Sequence, residues 1–186
     1  LALVGGKGQS LAKLAGAGLP VPPGFLVSTK AYRDFVEANG LQGSILNQVA
    51  GVAPQNAAAL ERAAAGIQPL FESATLPGDL AASIAKAYSE LEGGNAAVAV
   101  RSSATAEDLP DMSFAGQQDT FLNVVGNAQL LGAVRECWSS LWTARAIGYR
   151  QRNGIDSDQV ALAVVVQGRI ASDAARVMVT AAPLPG

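Results

Sequence analysis

The sequence predicts an α+β fold in which several helices pack on a small mixed or antiparallel sheet. Two observations predict it. Apolar residues recur at helical spacing through much of the chain, and short apolar runs bounded by glycine, proline or asparagine break that spacing. The elements follow one another without a periodic repeat.

Val4-Gly5-Gly6-Lys7-Gly8 opens onto a helix over 9–17, where Leu11, Leu14 and Ala15 recur at helical spacing and Gly16 and Gly18 mark the stop. Leu19-Pro20-Val21-Pro22-Pro23-Gly24 forms a rigid connector, because proline lacks a backbone donor and restricts the residue before it. Residues 25–28 then read as a short strand. Thr29 is placed to cap a helix over 29–38 that Asn39-Gly40 stop, and further helices are expected over 44–50, 54–65 and 77–92 with alanine-rich faces suited to close packing. Residues 96–100 form an apolar run short enough for a buried strand that ends on the charge of Arg101. The polar stretch 102–117 contains Pro110 and Gly116 and reads as a loop, with 118–125 as the next strand. From 128 to 152 one long helix sets Leu130, Val134, Trp138, Leu141 and Ile147 on a broad apolar stripe, and its tryptophans are expected in the core. Residues 160–167 and 176–181 are expected to be two more strands.

At 186 residues the chain is long enough to bury a sizeable core as one compact unit. Hydrophobic residues make up 49% and charged ones 15%, which excludes a disordered chain and points to a well-buried interior or a surface that meets a partner. The net charge is −2 and the basic residues are scattered, unlike the continuous basic face that neutralises a nucleic-acid backbone. The apolar run 160–166 stops at Gln167, far short of the roughly 20 residues a membrane helix needs, so no span is expected. The single cysteine, Cys137, lies in an apolar helical pattern and reads as a buried, inert thiol, in keeping with a cytoplasmic setting. There is no signal-peptide pattern, and the chain begins without methionine in the middle of a motif, as expected of a piece of a longer protein.

Three segments carry candidate chemistry. In Gly5-Gly6-Lys7-Gly8 the glycines let a backbone approach an anion, the helix N-terminus supplies amides and Lys7 adds a charge; a simple helix-start turn explains the same residues. The pattern is not the P-loop one, which needs Gly-x-x-x-x-Gly-Lys-Ser/Thr. In Val100-Arg101-Ser102-Ser103-Ala104-Thr105-Ala106-Glu107-Asp108 a strand end holds a guanidinium fork suited to phosphate oxygens, with hydroxyls beside it; a salt bridge from Arg101 to Glu107 or Asp108 is the alternative. Ser113-Phe114-Ala115-Gly116-Gln117-Gln118-Asp119-Thr120 forms a glycine-containing turn before a strand, either a lid over phosphates or an ordinary hairpin loop. No paired carboxylates stand out, and no metal ligand is assigned.

The motif from Val100 to Asp111, followed by Ser113-Phe114-Ala115-Gly116-Gln117-Gln118-Asp119-Thr120-Phe121-Leu122-Asn123-Val124, closely resembles the signature of the phosphoenolpyruvate synthase and pyruvate phosphate dikinase family. The resemblance continues through Gly6-Lys7-Gly8, Val21-Pro22-Pro23-Gly24-Phe25, Arg145-Ala146, Tyr149-Arg150 and Val164-Val165-Val166-Gln167, and so covers nearly the whole chain. It implies the first lobe of an ATP-grasp-type domain. In that family ATP lies between two lobes, and its β-phosphoryl group passes to a histidine of a mobile domain and then to pyruvate.

By that resemblance Lys7 and Arg101 hold the ATP phosphates, with Ser102 beside them. Ala115, Gly116, Gln117, Asp119 and Thr120 belong to the covering loop, and Gln167 lies at the hinge beside the adenine. The Mg²⁺ ligands, the second lobe and the phosphohistidine domain are expected outside this stretch; the chain itself has no histidine. Gln167-Gly168-Arg169-Ile170 departs from the family's usual Gln-Arg-Met-Val. A rifampicin phosphotransferase or a glucan dikinase is similar in this lobe, and a non-catalytic nucleotide-sensing or scaffold module is the reading from another class.

Overall fold

In a computed structural model that describes residues 1–91, 95–104 and 120–170, helices α1 (Gly5–Gly16), α2 (Thr29–Ala38), α3 (Leu41–Val49), α4 (Ala57–Ser73), α5 (Gly78–Ser89), α6 (Asn127–Ser139) and α7 (Ala144–Arg152) surround a sheet of β1 (Gly24–Val27), β2 (Val98–Ala104), β3 (Thr120–Val124) and β4 (Leu162–Gly168). The four strands lie in the order β1-β4-β2-β3, and each neighbouring pair is antiparallel. The α+β expectation therefore holds, with the antiparallel alternative realised among the described residues. The strand expected over 176–181 lies outside them, as do Ala115, Gly116, Gln117 and Asp119.

Residues 161–166 are buried without the alternation of a half-exposed strand, because helices cover both faces of β4. One face, with Val98, Val100, Val164 and Val166, joins the main core under α2 and α6. The other meets α1, which packs on β2 and β4. In the main core Phe35 lies with its ring centroid 5.0 Å from Trp138, and Phe71 stands 5.9 Å from Phe35. The tryptophans expected inside are inside.

Element ends depart from expectation for identifiable reasons. The cap of α2 is Ser28, whose Oγ accepts from the Ala31 amide at 3.4 Å, while Thr29 is the first helical residue. Asn56 caps α4 through its Oδ1, so that helix starts after the Pro54-Gln55 turn and not at Pro54. It also runs past Gly66 and through Pro69 to Ser73. Gly66 is a packing residue and not a stop, since a Cβ there would come 2.7 Å from the Gln48 side chain, and the burial of Ile67 and Phe71 outweighs the hydrogen bond that Pro69 omits. The early start of α3 at Leu41 follows from Gly40, whose φ of 62° reverses the chain within one residue.

The long helix expected over 128–152 is two helices separated by a 3₁₀ turn, Ser140–Trp142. Hydroxyls compete for the backbone at this point: Ser140 Oγ donates to the Cys137 carbonyl at 2.6 Å, and Thr143 Oγ1 accepts from the Ala146 amide to start α7. The break turns Trp142 into the core, where its Nε1 donates to the Tyr32 hydroxyl at 3.0 Å. Arg150 lies over the Trp142 ring at 4.7 Å and donates to the Leu141 carbonyl at 2.7 Å. Its Nε and Nη2 are buried without a hydrogen-bond partner among the described residues, and burial pushes its pKa down. Among the described residues no helix is long and apolar enough to cross a membrane.

Two measurements test this core. Replacing Trp138 with alanine is expected to destabilise the fold by about 3–5 kcal/mol in chemical denaturation, the cost of a large cavity where the side chain is fully buried. Burial raises the Tyr32 pKa from its ordinary 10.0 to about 12. The protonated hydroxyl thus contributes stability that is complete below pH 10 and is lost as pH rises through 12. Tyr32→Phe is expected to start less stable, because Trp142 Nε1 loses its acceptor, and then to lose stability less steeply than the wild type between those values. Parallel slopes in urea denaturation across that range contradict the assignment.

Candidate functional site

Strand β2 is read as ending on Arg101 by its apolar run, but it continues through Ser102 and Ser103 to Ala104, opposite Val164, Ala163 and Leu162 of β4. Alternation along the strand then separates the two serines. Ser102 is fully buried on the face of Val100 and Val164, turned toward the main core and away from Arg101. Ser103 shares the α1 face with Arg101, about 7 Å further along the strand at the usual rise per residue.

Across that face Arg101 stands opposite Thr120 of β3 on one side and Val165 of β4 on the other, and Leu26 of β1 follows Val165 in the same row. Arg101 and Thr120 are exposed, while Val165 is covered. The bulge in β3 lies just beyond, where Asn123 has a φ of 57° and receives a hydrogen bond from Arg169 Nη1.

Helix α1 lies close on this face because three of the four residues in its first turn are glycine. Gly5, Gly6 and Gly8 are buried. A Cβ on Gly5 would come 2.3 Å from the Ser103 carbonyl oxygen, and the residue has a φ of 65° that disfavours any side chain. At Gly8 a Cβ would press on Leu26 at 3.1 Å. The glycines expected to precede the helix are therefore its first turn. Lys7 sits half-buried among them. The first turn has no acidic residue, so the partial positive charge of the helix start adds to those of Lys7 and Arg101.

The fully buried Ser103 hydroxyl joins helix to strand. Its Oγ accepts from the Gly8 amide at 3.3 Å and donates to the Val4 carbonyl at 2.9 Å. On the other side of the same turn Thr29 Oγ1 donates to the Ala2 carbonyl at 2.8 Å, and the Thr29 amide to the Leu3 carbonyl at 2.9 Å. Sequence reasoning did not single out this role for Ser103; extending the strand past Arg101 and following its alternation is the signal that finds it.

At the far end of α1 a cleft of about 300 Å³ is lined mainly by apolar groups, among them Leu11, Ala15, Val21, Leu26 and Val165, with Gln167 at its edge. Gln167 Nε2 donates to the Pro22 carbonyl at 3.3 Å and holds the proline connector against β4. The structure thus sets Arg101, Thr120 and Gln167 on one sheet face beside the helix that carries Lys7, and sets Ser102 on the opposite face. Among the described residues no group of three histidine, cysteine, aspartate or glutamate side chains is placed to hold a metal ion.

Comparison with known proteins gives a consistent picture. The chain is 46% identical over 186 residues to a probable phosphoenolpyruvate synthase of Methanocaldococcus jannaschii, and 43% identical over 188 residues to a protein of the same description from Methanothermobacter thermautotrophicus. It is 46% identical over 187 residues to a rifampicin phosphotransferase of Streptomyces sviceus. These matches cover 98%, 99% and 100% of this chain but only 16%, 28% and 21% of the respective relatives. The family model described as pyruvate phosphate dikinase, AMP/ATP-binding domain, matches residues 1–186 from end to end, and the chain belongs to that family.

Proposed function

We propose that this chain is the first lobe of an ATP-grasp-type site, and that the whole protein is a cytoplasmic phosphoenolpyruvate synthase-like dikinase. In this reading ATP supplies the β-phosphoryl group, which passes to a histidine on a further domain and then to pyruvate. The observation that carries the reading is the placement of exposed Arg101 on the sheet face to which the glycine turn of Lys7 is fastened.

Phosphoryl transfer depends mainly on positioning and on neutralising charge that moves over phosphate oxygens. Arg101 offers a planar fork of donors on a strand held from both sides, and Lys7 offers a charge within the first turn of α1. Gly5 and Gly8 fasten that turn to the sheet, and the positive charges of Lys7, Arg101 and the helix start suit the triphosphate of ATP. Thr120, with Ala115, Gly116, Gln117 and Asp119, belongs to the segment assigned to cover the phosphates. Gln167 beside the apolar cleft is assigned to the adenine side. Ser102 takes no direct part in this reading, since its side chain faces the core. The described residues do not supply a Mg²⁺ site, and the metal is assigned to residues elsewhere in the whole protein.

The equal identity to a rifampicin phosphotransferase supports a second acceptor, the antibiotic in place of pyruvate. The ATP lobe has the same task in both. Turnover of pyruvate against rifampicin by the full-length protein separates them, and absence of ATP binding to that protein in calorimetry favours a scaffold.

In the full-length protein Lys7→Ala and Arg101→Ala are each expected to lower ATP turnover by about two orders of magnitude, the effect of removing charge stabilisation from a phosphoryl transfer. A wild-type rate in either variant removes that residue from the site. Gly5→Ala is expected to lift α1 from β2 and to lower the thermal midpoint as well as turnover, because the new methyl meets the Ser103 backbone. An unchanged midpoint contradicts the close contact. This chain alone is expected to bind ATP more weakly than micromolar, since half the contacts are missing while the entropic cost of association remains. Calorimetric titration of the isolated chain checks this.

A further inference from the structure

The two cations assigned to the phosphates stand on separate elements. Arg101 is fixed by the sheet, with its backbone paired between β3 and β4. Lys7 belongs to a helix turn that no strand pairing holds. Among the described residues, the Ser103 hydroxyl links that turn to the strand of Arg101 by hydrogen bonds. Ser103 Oγ accepts from the Gly8 N–H, which belongs to the peptide unit that carries the Lys7 carbonyl, and donates to the Val4 carbonyl at the opposite end of the same turn. Ser103 is fully buried and lies next but one to Arg101 on the same face of β2, so its grip has a fixed offset from the guanidinium. Gly5 packs on the Ser103 backbone at this place, and the hydroxyl bonds to both ends of the turn.

We propose that Ser103 is a positioning residue of the phosphate grip: its hydroxyl holds the Lys7 turn in register with Arg101. The proposal rests on the ATP site described above. It implies that Ser103 acts through Lys7 and not through Arg101, whose strand remains paired when the hydroxyl is removed. Loss of the hydroxyl frees the turn to shift by a fraction of its width, and misplacement on that scale lowers rates by an order of magnitude or more.

A kinetic double-mutant cycle in the full-length protein, with ATP as the varied substrate, tests this. Ser103→Ala is expected to lower kcat/KM for ATP about 10-fold. The same substitution is expected to have an effect of less than about 2-fold when Lys7 is already alanine, and to keep its full effect when Arg101 is alanine. Ser103→Cys keeps the shape of the side chain with a somewhat larger and only weakly hydrogen-bonding group; it is expected to reproduce the loss and serves as the second probe if the alanine variant does not fold. Thermal midpoints of each variant register stability separately. An equal loss in all backgrounds means that Ser103 only supports the fold, and this overturns the proposal; so does an unchanged kcat/KM in folded Ser103 variants. Loss at Lys7→Ala without loss at Ser103 overturns the positioning role alone, whereas wild-type kcat/KM in Lys7→Ala overturns the site and the positioning role together.

Discussion

The contact between the glycine-rich first turn of α1 and the face of β2 and β4 sets the position of everything else on that face. A helix normally stands about 10 Å from a sheet because side chains fill the gap. Here Gly5, Gly6 and Gly8 remove them, and backbone meets backbone. The consequences follow in order. Val165 is covered, so β4 is apolar on both faces, and the Ser103 hydroxyl reaches main-chain atoms of the turn. The helix start, with Lys7 in its first turn, is fastened to the face of β2 that also carries Arg101. A larger residue at Gly5 would alter each of these at once.

The opposite face follows another rule. There the aromatic rings of Phe35, Phe71 and Trp138 interlock, and polar groups are admitted where a partner or a ring receives them. Tyr32 accepts from Trp142, and Tyr88 donates to the Ala96 carbonyl at 2.7 Å and accepts from the Gly126 amide at 2.9 Å. Trp138 and Arg150 depart from this among the described residues: the indole Nε1 of Trp138 is buried without a hydrogen-bond partner, and the Trp142 ring and the Leu141 carbonyl account for only part of the Arg150 fork. Among the described residues no carboxylate pairs with it, and burial of an unpaired guanidinium opposes folding by desolvation. Its contacts hold the short turn that splits α6 from α7, so the same residue links that break to the core.

The sequence is most legible where one local signal decides the outcome. The connector prolines, the helix stop at Asn39-Gly40 and the strand expected at 25–28, observed as Gly24–Val27, all follow from backbone chemistry, and the resemblance over nearly the whole chain agrees with the family match over residues 1–186. It is least legible where tertiary packing overrules a local signal. Gly66 and Pro69 look like stops, yet Ile67 and Phe71 are buried deeply enough to carry α4 past them. Ser140 and Thr143 sit within a continuous apolar periodicity, yet their hydroxyls take backbone partners and divide the helix. At the site, residue types identify Arg101 and Lys7 as charges of the right kind. Which of two adjacent serines stands with them depends on strand length, and an apolar run that ends at Arg101 hides it.

The open sheet has β1 and β3 as its outer strands among the described residues, and an outer strand is a template on which another chain can pair. Neither is a good template. β1 has only four residues and follows Pro20, Pro22 and Pro23, which limit how far any added strand could extend beside it. β3 has five residues and turns out of line at Asn123, where the positive φ and the irregular pairing with β2 interrupt the row of donors and acceptors. With a formal net charge of −2, this stretch supplies little electrostatic repulsion between copies, and edge geometry takes on more of the task of keeping sheets apart. The prolines that stiffen the approach to the apolar cleft therefore act also as a guard against self-association.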